Sequence, residues 1–287
     1  MGKGGSSGKD AMGIADGKNM IFDHVSVSWG RDETFSINGD VSNVTIQNSI
    51  IAQGLETHSC GGLMQTDGGV SLFRNLYIDN KTRNPKVKGV NEFTNNVIYN
   101  WGGGGGYIAG GSDGESSSSY TLLGLTAFTR GNENFHAYVE TNYYDSDKDG
   151  TLNGSELGVD STNYGGMDLV TEKYDYPAVA SVLSPDDALT YVTKSSKVRD
   201  SVDTQLVAQV ESYGKDGALI SDEADMGGAG DLDQGTTPTD TDGDGIPDDA
   251  EAELGTDPNT ADSMDLDTSG YTFLEVWANS LVPSSYA

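Results

Sequence analysis

A single cysteine, Cys60, stands in 287 residues. It excludes any disulfide within the chain and leaves the redox compartment open. Basic residues are nearly as scarce. Sixteen Lys and Arg face 45 Asp and Glu, for a formal net charge of −29. Such a chain is no general nucleic-acid binder, because phosphate contacts need cationic side chains spread over a surface. The charge suits a secreted protein or a binder of metal cations. Hydrophobic content is low for a globular protein at 35%, and no apolar run is long enough to cross a membrane. The opening "MGKGGSSGKDAMGI" lacks the apolar core of a signal peptide. Either the protein is cytosolic or its natural N-terminus lies upstream. The triplets at Asn43, Asn80 and Asn153 fit the glycosylation pattern, which matters only in a eukaryotic secretory route.

Against this scarcity, "KTRNPKVK" holds four of the sixteen bases: Lys81, Arg83, Lys86 and Lys88. An acidic protein that gathers positive charge in eight residues has a local use for it, and a polyanionic ligand is one.

Four segments share a pattern: "MIFDHVSVSW", "TIQNSIIAQ", "LFRNLYIDN" and "FTNNVIYNW". Each alternates apolar residues about a polar pair, the period-two mark of a strand. Aligned on His24, Asn48, Asn75 and Asn96, they recur at 24, 27 and 21 residues. A period in the twenties is one coil of a β-solenoid, and stacked coils bury a core that no coil can bury alone. Asparagines at equivalent positions are expected to bond from coil to coil as a ladder. An antiparallel β-sandwich with Asn in its turns is the alternative.

The stretch from Ser119 to Tyr144 adds another coil or two. Beyond it, 157–224 reads as an irregular extension. Within it, "SPDDALTYVTKSS" fits a helix capped by Ser184 ahead of Pro185, and "TQLVAQVESYG" a short helix ended by Gly214. Residues 225–239 are rich in Gly, Thr and Asp and read as a linker, and 240–287 form an acidic tail.

"DSDKDGTLNGSE" meets the demands of a twelve-residue EF-hand loop. Asp145, Asp147 and Asp149 fill positions 1, 3 and 5, Gly150 the sharp turn, Thr151 a carbonyl, and Glu156 the bidentate position 12. Flanking helices are not evident, so the loop reads as a structural clip rather than a sensor. "DTDGDGIPDDAE" repeats the spacing with Asp240, Asp242, Asp244, Asp248 and Glu251. "DLDTSGYTFLE" is a weaker partner, its Glu275 one short of position 12. An acidic disordered tail is the alternative.

"IFDHVSVSWGRDE", "TRNPKVK" and "NNVIYNWGGGGGY", in that order, resemble the pectate lyases of polysaccharide lyase family 1, and the Asp145 loop resembles their fungal pectate lyase C type. The resemblance covers roughly residues 10–160 by motif. It implies an all-β, right-handed parallel β-helix over 1–144, with Ca2+ as cofactor. It further implies β-elimination on polygalacturonate, an extracellular location and a monomer with neither nucleic-acid nor membrane partners. By this resemblance Arg83 is the catalytic base that takes the C5 proton, although an Arg is ordinarily protonated up to about pH 12 or beyond. Lys88 falls where the family commonly has a second Arg, and with Lys86 it would bind substrate carboxylates.

Asp10, thirteen residues before Asp23, and Asp32, nine after it, match cleft calcium ligands of the family. Ser36 stands where a third acid often lies, and Glu33 is the residue to compensate. No Lys occupies the coil where the family often has a substrate-binding one. His58 in "AQGLETHSCGG" is the cation there, and a structural role is its alternative. The family also has further coils ahead of this start, so the chain reads as N-terminally truncated, with an open first coil. Two other readings remain at this point: a non-catalytic β-helix that binds acidic polysaccharide, and a lyase for another uronate polymer.

Overall fold

The computed structural model describes residues 8–103, 105–110, 114–123, 129–176, 179, 181–196, 200–230 and 235–281. Residues 124–128 of the expected later coil and 231–234 of the expected linker lie outside them.

The chain winds as a right-handed parallel β-helix. The first coil carries β1 (Met12–Asp23) and β2 (Ser26–Ser28), and the second β3 (Phe35–Gln47) and β4 (Ile50–Ala52). The third carries β5 (Leu63–Gln65), β6 (Gly68–Phe73) and β7 (Leu76–Ile78), and the fourth β8 (Lys86–Lys88) and β9 (Asn91–Tyr99). Next come β10 (Tyr107–Ala109) and β11 (Gly114–Leu123), then β12 (Thr129–Arg130), β13 (Phe135–Val139) and β14 (Tyr143–Asp145). Two short strands follow, β15 (Ser155–Glu156) and β16 (Asp168–Leu169). Each strand pairs in parallel with its counterpart one coil on, except the antiparallel pair β14–β15. The strands thus continue to Leu169, past the boundary expected at 144.

Two corners per coil turn through the left-handed backbone region, at His24, Asn48, Arg74 and Asn95 and again at Trp29, Gln53, Asp79 and Asn100. Asn tolerates that region better than most residues, which is why it punctuates the repeat. These corners correct the alignment. The true counterparts of His24 and Asn48 are Arg74 and Asn95, so Asn75 and Asn96 sit one place later, level with Ser49. The ladder runs there. Asn75 Oδ1 accepts from Ser49 N at 3.0 Å, and Asn96 Oδ1 accepts from Asn75 N at 2.9 Å and from its Nδ2 at 3.0 Å. Asn48 instead donates to Asp23 at 2.8 Å. Both ladder asparagines are fully buried, so their bonds are made in a setting where a missing partner costs about 1–3 kcal/mol.

Inside the coils, Phe35, Ile37, Ile46, Leu72, Val87 and Phe93 are fully buried. Tyr77, Phe93 and Tyr107 pack as tilted ring pairs with centroids 6.0 and 5.1 Å apart. A second apolar layer lies outside β4, β7 and the end of β9. There α1 (Pro185–Ser196) and α2 (Ser201–Glu211) lay Leu189, Val192, Leu206 and Val210 on Ile50, Leu76, Ile78 and Val97. Ser184 Oγ accepts from Asp187 N at 3.2 Å as the expected cap, and α2 ends at Ser212, ahead of Gly214 at φ +92°.

The chain divides into two compact units, Met1–Asp231 and Leu232–Ala287, a break inside the stretch expected as a linker. The second unit contains α3 (Asp248–Leu254) and α4 (Phe273–Ser280). No helix among the described residues is long and apolar enough to cross a membrane.

Candidate active site and acidic clusters

The basic stretch occupies the turn from β7 into β8. Asn80 anchors it from below: its Oδ1 accepts from Gly54 N at 2.8 Å, and its Nδ2 donates to Ile51 O and to Asn84 Oδ1 at 2.9 and 3.0 Å. Arg83 sits at the crest with φ +57°. Its carbonyl accepts from Gly62 N at 2.8 Å, and the next amide, of Asn84, donates to Gly106 O at 2.8 Å. The backbone of Arg83 is therefore clamped from the coils on either side.

Its side chain reaches back two coils. Arg83 Nη1 donates to Glu33 Oε1, and Glu33 is 6% exposed. Glu33, Cys60 and Thr82 form parallel bridges on successive coils, so the sheet register sets this reach. Glu33 N donates to Asp10 Oδ1 at 3.1 Å, and Ser36 Oγ donates to Asp10 Oδ2. Carboxylate oxygens of Asp10, Asp32 and Glu33 lie within 4.8 Å of one another. Burial first, and then a hydrogen bond with Asp32, raises the Glu33 carboxyl above its ordinary range, against the pull of Arg83. Glu33 thus fills the space beside Asp10 and Asp32 that Ser36 does not fill with charge. His58 Nε2 meets Asp32 Oδ1 at 2.9 Å, so His58 faces the carboxylates. Burial pushes the neighbouring Cys60 thiol up to about 12.

On the other side of Arg83, Lys86 and Lys88 flank buried Val87, so both face outward from β8. Lys88 Nζ donates to Gln65 Oε1 at 2.8 Å. Burial, with the charges of Arg83, Lys88 and Arg130, lowers the Lys86 ammonium. A cleft of about 380 Å³ is lined by Arg83, Lys86, Arg130 and Asn132. Arg130 escapes a reading of motifs because it stands alone in sequence. Register brings it in: Lys86 pairs with Ile108, and Ile108 with Arg130.

The Asp145 loop is not flanked by helices; β14 precedes it and β15 follows. Asp145 Oδ2 accepts from Asn153 N at 3.0 Å and Asp149 Oδ1 from Thr151 N at 2.7 Å. Lys148 Nζ donates to Asn100 Oδ1 at 3.1 Å, and Gly150 N donates to Tyr213 O at 3.2 Å. Among the described residues, the compact groups of three ligand atoms do not include Asp145, Asp147, Asp149 or Glu156. The loop is held by its own amides and by Lys148.

In the second unit two groups do converge: Asp240 with Asp242 and Asp244, and Asp244 with Glu251 and Asp262. Glu251 is fully buried, and its Oε2 has no hydrogen-bond partner among the described residues. Burial, then the charges of Asp242, Asp244 and Asp262, raises its carboxyl. Asp248 does not join them, because its oxygens accept from Thr241 N and Oγ1 at 2.7 and 2.8 Å. Asp262, beyond the twelve-residue frame, takes part instead. Glu275 closes a capping box with Thr272 on α4.

The fold is thus a parallel β-helix in which an arginine lies between a carboxylate cluster and a cationic strand. The bacterial TSP3 repeat profile matches residues 240–261. The chain is 94% identical to the probable pectate lyase C of Aspergillus oryzae, over all of this chain and 71% of that protein. It is 76% identical to that of Neosartorya fischeri, with 71% of it covered, and 73% to that of Emericella nidulans, with 70% covered. The chain belongs to the pectate lyase C family.

Proposed function

We propose that this chain is an extracellular, monomeric, calcium-dependent pectate lyase that cleaves (1→4)-α-D-galacturonan by β-elimination. The observation that carries this reading is the clamped Arg83, with Asp10, Asp32 and Glu33 to one side and Lys86, Lys88 and Arg130 to the other. An acidic protein that sets Arg83, Lys86 and Arg130 around one cleft suits a polyuronate, and a net charge of −29 disfavours nucleic acid.

Asp10, Asp32 and Glu33 offer carboxylate oxygens only, the donor set that hard cations prefer, and would hold calcium. Held by those residues, calcium would supply positive charge that eases loss of the proton beside the uronate carboxylate. Lys86 and Lys88 bind and orient uronate carboxylates along β8. Arg83, after it has given up a guanidinium proton to solvent, takes the proton from C5. The C5–H electron pair becomes the C4–C5 double bond, and the C4–O bond breaks with its pair going to the leaving glycosidic oxygen, which is then protonated. The products are a 4,5-unsaturated uronide and a new chain end. For the tail, Asp240, Asp242, Asp244, Glu251 and Asp262 are the residues we assign to calcium, supported by the buried, unpartnered Glu251 oxygen. The Asp145 loop serves as a calcium clip away from the chemistry.

The test is incubation with polygalacturonate, with and without calcium, followed by ultraviolet absorbance of the unsaturated product. Calcium-dependent absorbance is expected. Binding of the polymer with no absorbance would make the chain a non-catalytic polysaccharide binder instead.

A further inference from the structure

The only sulfur nucleophile of the chain lies among the cleft carboxylates, and the lyase chemistry makes no use of it. We propose that Glu33, His58 and Cys60 form a second metal site, selective for borderline divalent ions of the zinc and cobalt class and distinct from the all-oxygen cluster. This inference concerns binding alone and stands whether or not the lyase reading holds.

One potential ligand atom from each of the three lies within 4.8 Å of the others. A tetrahedral ion with bonds of about 2.0–2.3 Å needs donors nearer to about 3.5 Å apart, so binding would draw the three side chains together. Two of the three are fixed by the backbone, since Glu33 and Cys60 form a parallel bridge on adjacent coils. The third is oriented. His58 Nε2 meets Asp32 Oδ1 at 2.9 Å, so one ring nitrogen is engaged by a carboxylate and a tautomer with its proton there offers the other to an ion. A histidine ligand whose other nitrogen is held by a carboxylate is the usual supporting arrangement of zinc sites. The His58 side chain is 48% exposed, so ions enter from solvent, and water can fill the fourth position.

The local charge favours a cation. Around Cys60, Asp10, Asp32 and Glu33 stand against Arg83 and Lys81. The mixed thiol, imidazole and carboxylate set discriminates against calcium and magnesium, which take oxygen ligands. On binding, the Cys60 S–H bond breaks, the sulfur keeps the electron pair and donates it to the metal, and the proton leaves to solvent. Glu33 turns from Arg83 to the ion. Because Glu33 also belongs to the oxygen cluster, the two sites compete: a zinc-class ion in one weakens calcium in the other.

The probe is cobalt(II) added to the calcium-free full chain. Thiolate coordination gives a near-ultraviolet charge-transfer band, and Cys60 is the sole cysteine, so the acidic tail contributes nothing to that band. Expected are a band that rises to saturation, its loss in Cys60→Ser and its displacement by zinc. Glu33→Gln and His58→Ala should each weaken cobalt binding at least about tenfold. Absence of the band at saturating cobalt in the parent chain overturns the proposal, and that arm depends on no variant's folding. So does a band whose strength is unaltered in both Glu33→Gln and His58→Ala.

Discussion

The two units of this chain spend acidic residues in opposite ways. In the β-helix the cleft carboxylates Asp10, Asp32 and Glu33 hang on a frame whose core is apolar. Phe35, Ile37, Ile46, Leu72 and Phe93 are fully buried, and each coil is bonded to the next along its whole register. In the unit from Leu232 onward the described residues contain one buried hydrophobic residue, Ile246. The buried residue of α3 is Glu251, and α4 buries none. The tail is organised around carboxylates where the β-helix is organised around an apolar stack. On the proposed reading, one unit uses acids for chemistry on an apolar frame, and the other gathers them into clusters whose repulsion bound cations would offset.

The largest effect that separates these roles is expected at Arg83. Arg83→Lys keeps the charge and removes the proposed base, so turnover on polygalacturonate should fall at least about hundredfold, with circular dichroism and melting unchanged. A parental rate would remove Arg83 from the chemistry. Next is chelation of the full chain, followed by hydrogen exchange. Amides of α3 and α4 should lose protection while β3, β6 and β9 keep theirs. Calcium at a hundredfold excess over its dissociation constant should restore about 2.7 kcal/mol to the tail. Equal protection with and without chelator would show that the tail does not need cations.

A smaller effect tests a buried acid within the frame. Asp79 is fully buried, and burial pushes its carboxyl up from 3.8 to about 7, against hydrogen bonds from Asn100 and the Ala218 amide. The folded state therefore holds a proton that the unfolded chain releases, and stability falls as pH climbs from about 4 through about 7. Asp79→Asn should flatten that fall and gain on the order of 2 kcal/mol above pH 7. Melting temperatures across pH check this, and parallel curves for the two proteins would refute it. The smallest effect belongs to the Asp145 loop. Glu156→Gln should trim the calcium-induced rise in melting temperature by about 1–2 °C and spare turnover. Lost turnover with an unchanged thermal response would move that loop's cation into the active site.

The repeat, its period and the basic strand were legible because each depends on local pattern: alternation, asparagine corners, and two lysines either side of Val87. The ladder was misread by one place at the third and fourth coils. Asparagine identity suggested an alignment that the left-handed corner, taken by Arg74, does not respect. Arg130 and Asp262 were hidden for a different reason. Each joins its site through register or a chain reversal, and nothing in the neighbouring residues marks it. Glu33 stands beside Asp32 in the motif, yet its grip on Arg83 was hidden, since that contact spans fifty positions. The Asp145 loop fits its motif in every residue, while Lys148, at a position the motif leaves open, ties the loop to Asn100 and the coil beneath.

The corners have a consequence for change over time. His24 and Trp29, Asn48 and Gln53, Arg74 and Asp79, and Asn95 and Asn100 are each five residues apart. Every difference in coil length therefore falls between one coil's second corner and the next coil's first. Those are the stretches that carry Glu33, Cys60, Arg83 and the outward lysines. The solenoid has a spine of constant pitch and a working flank that can lengthen or shorten without disturbing it. Segments on that flank can be exchanged one coil at a time, so a groove for a different polymer is reachable by small insertions while the buried asparagines stay in step.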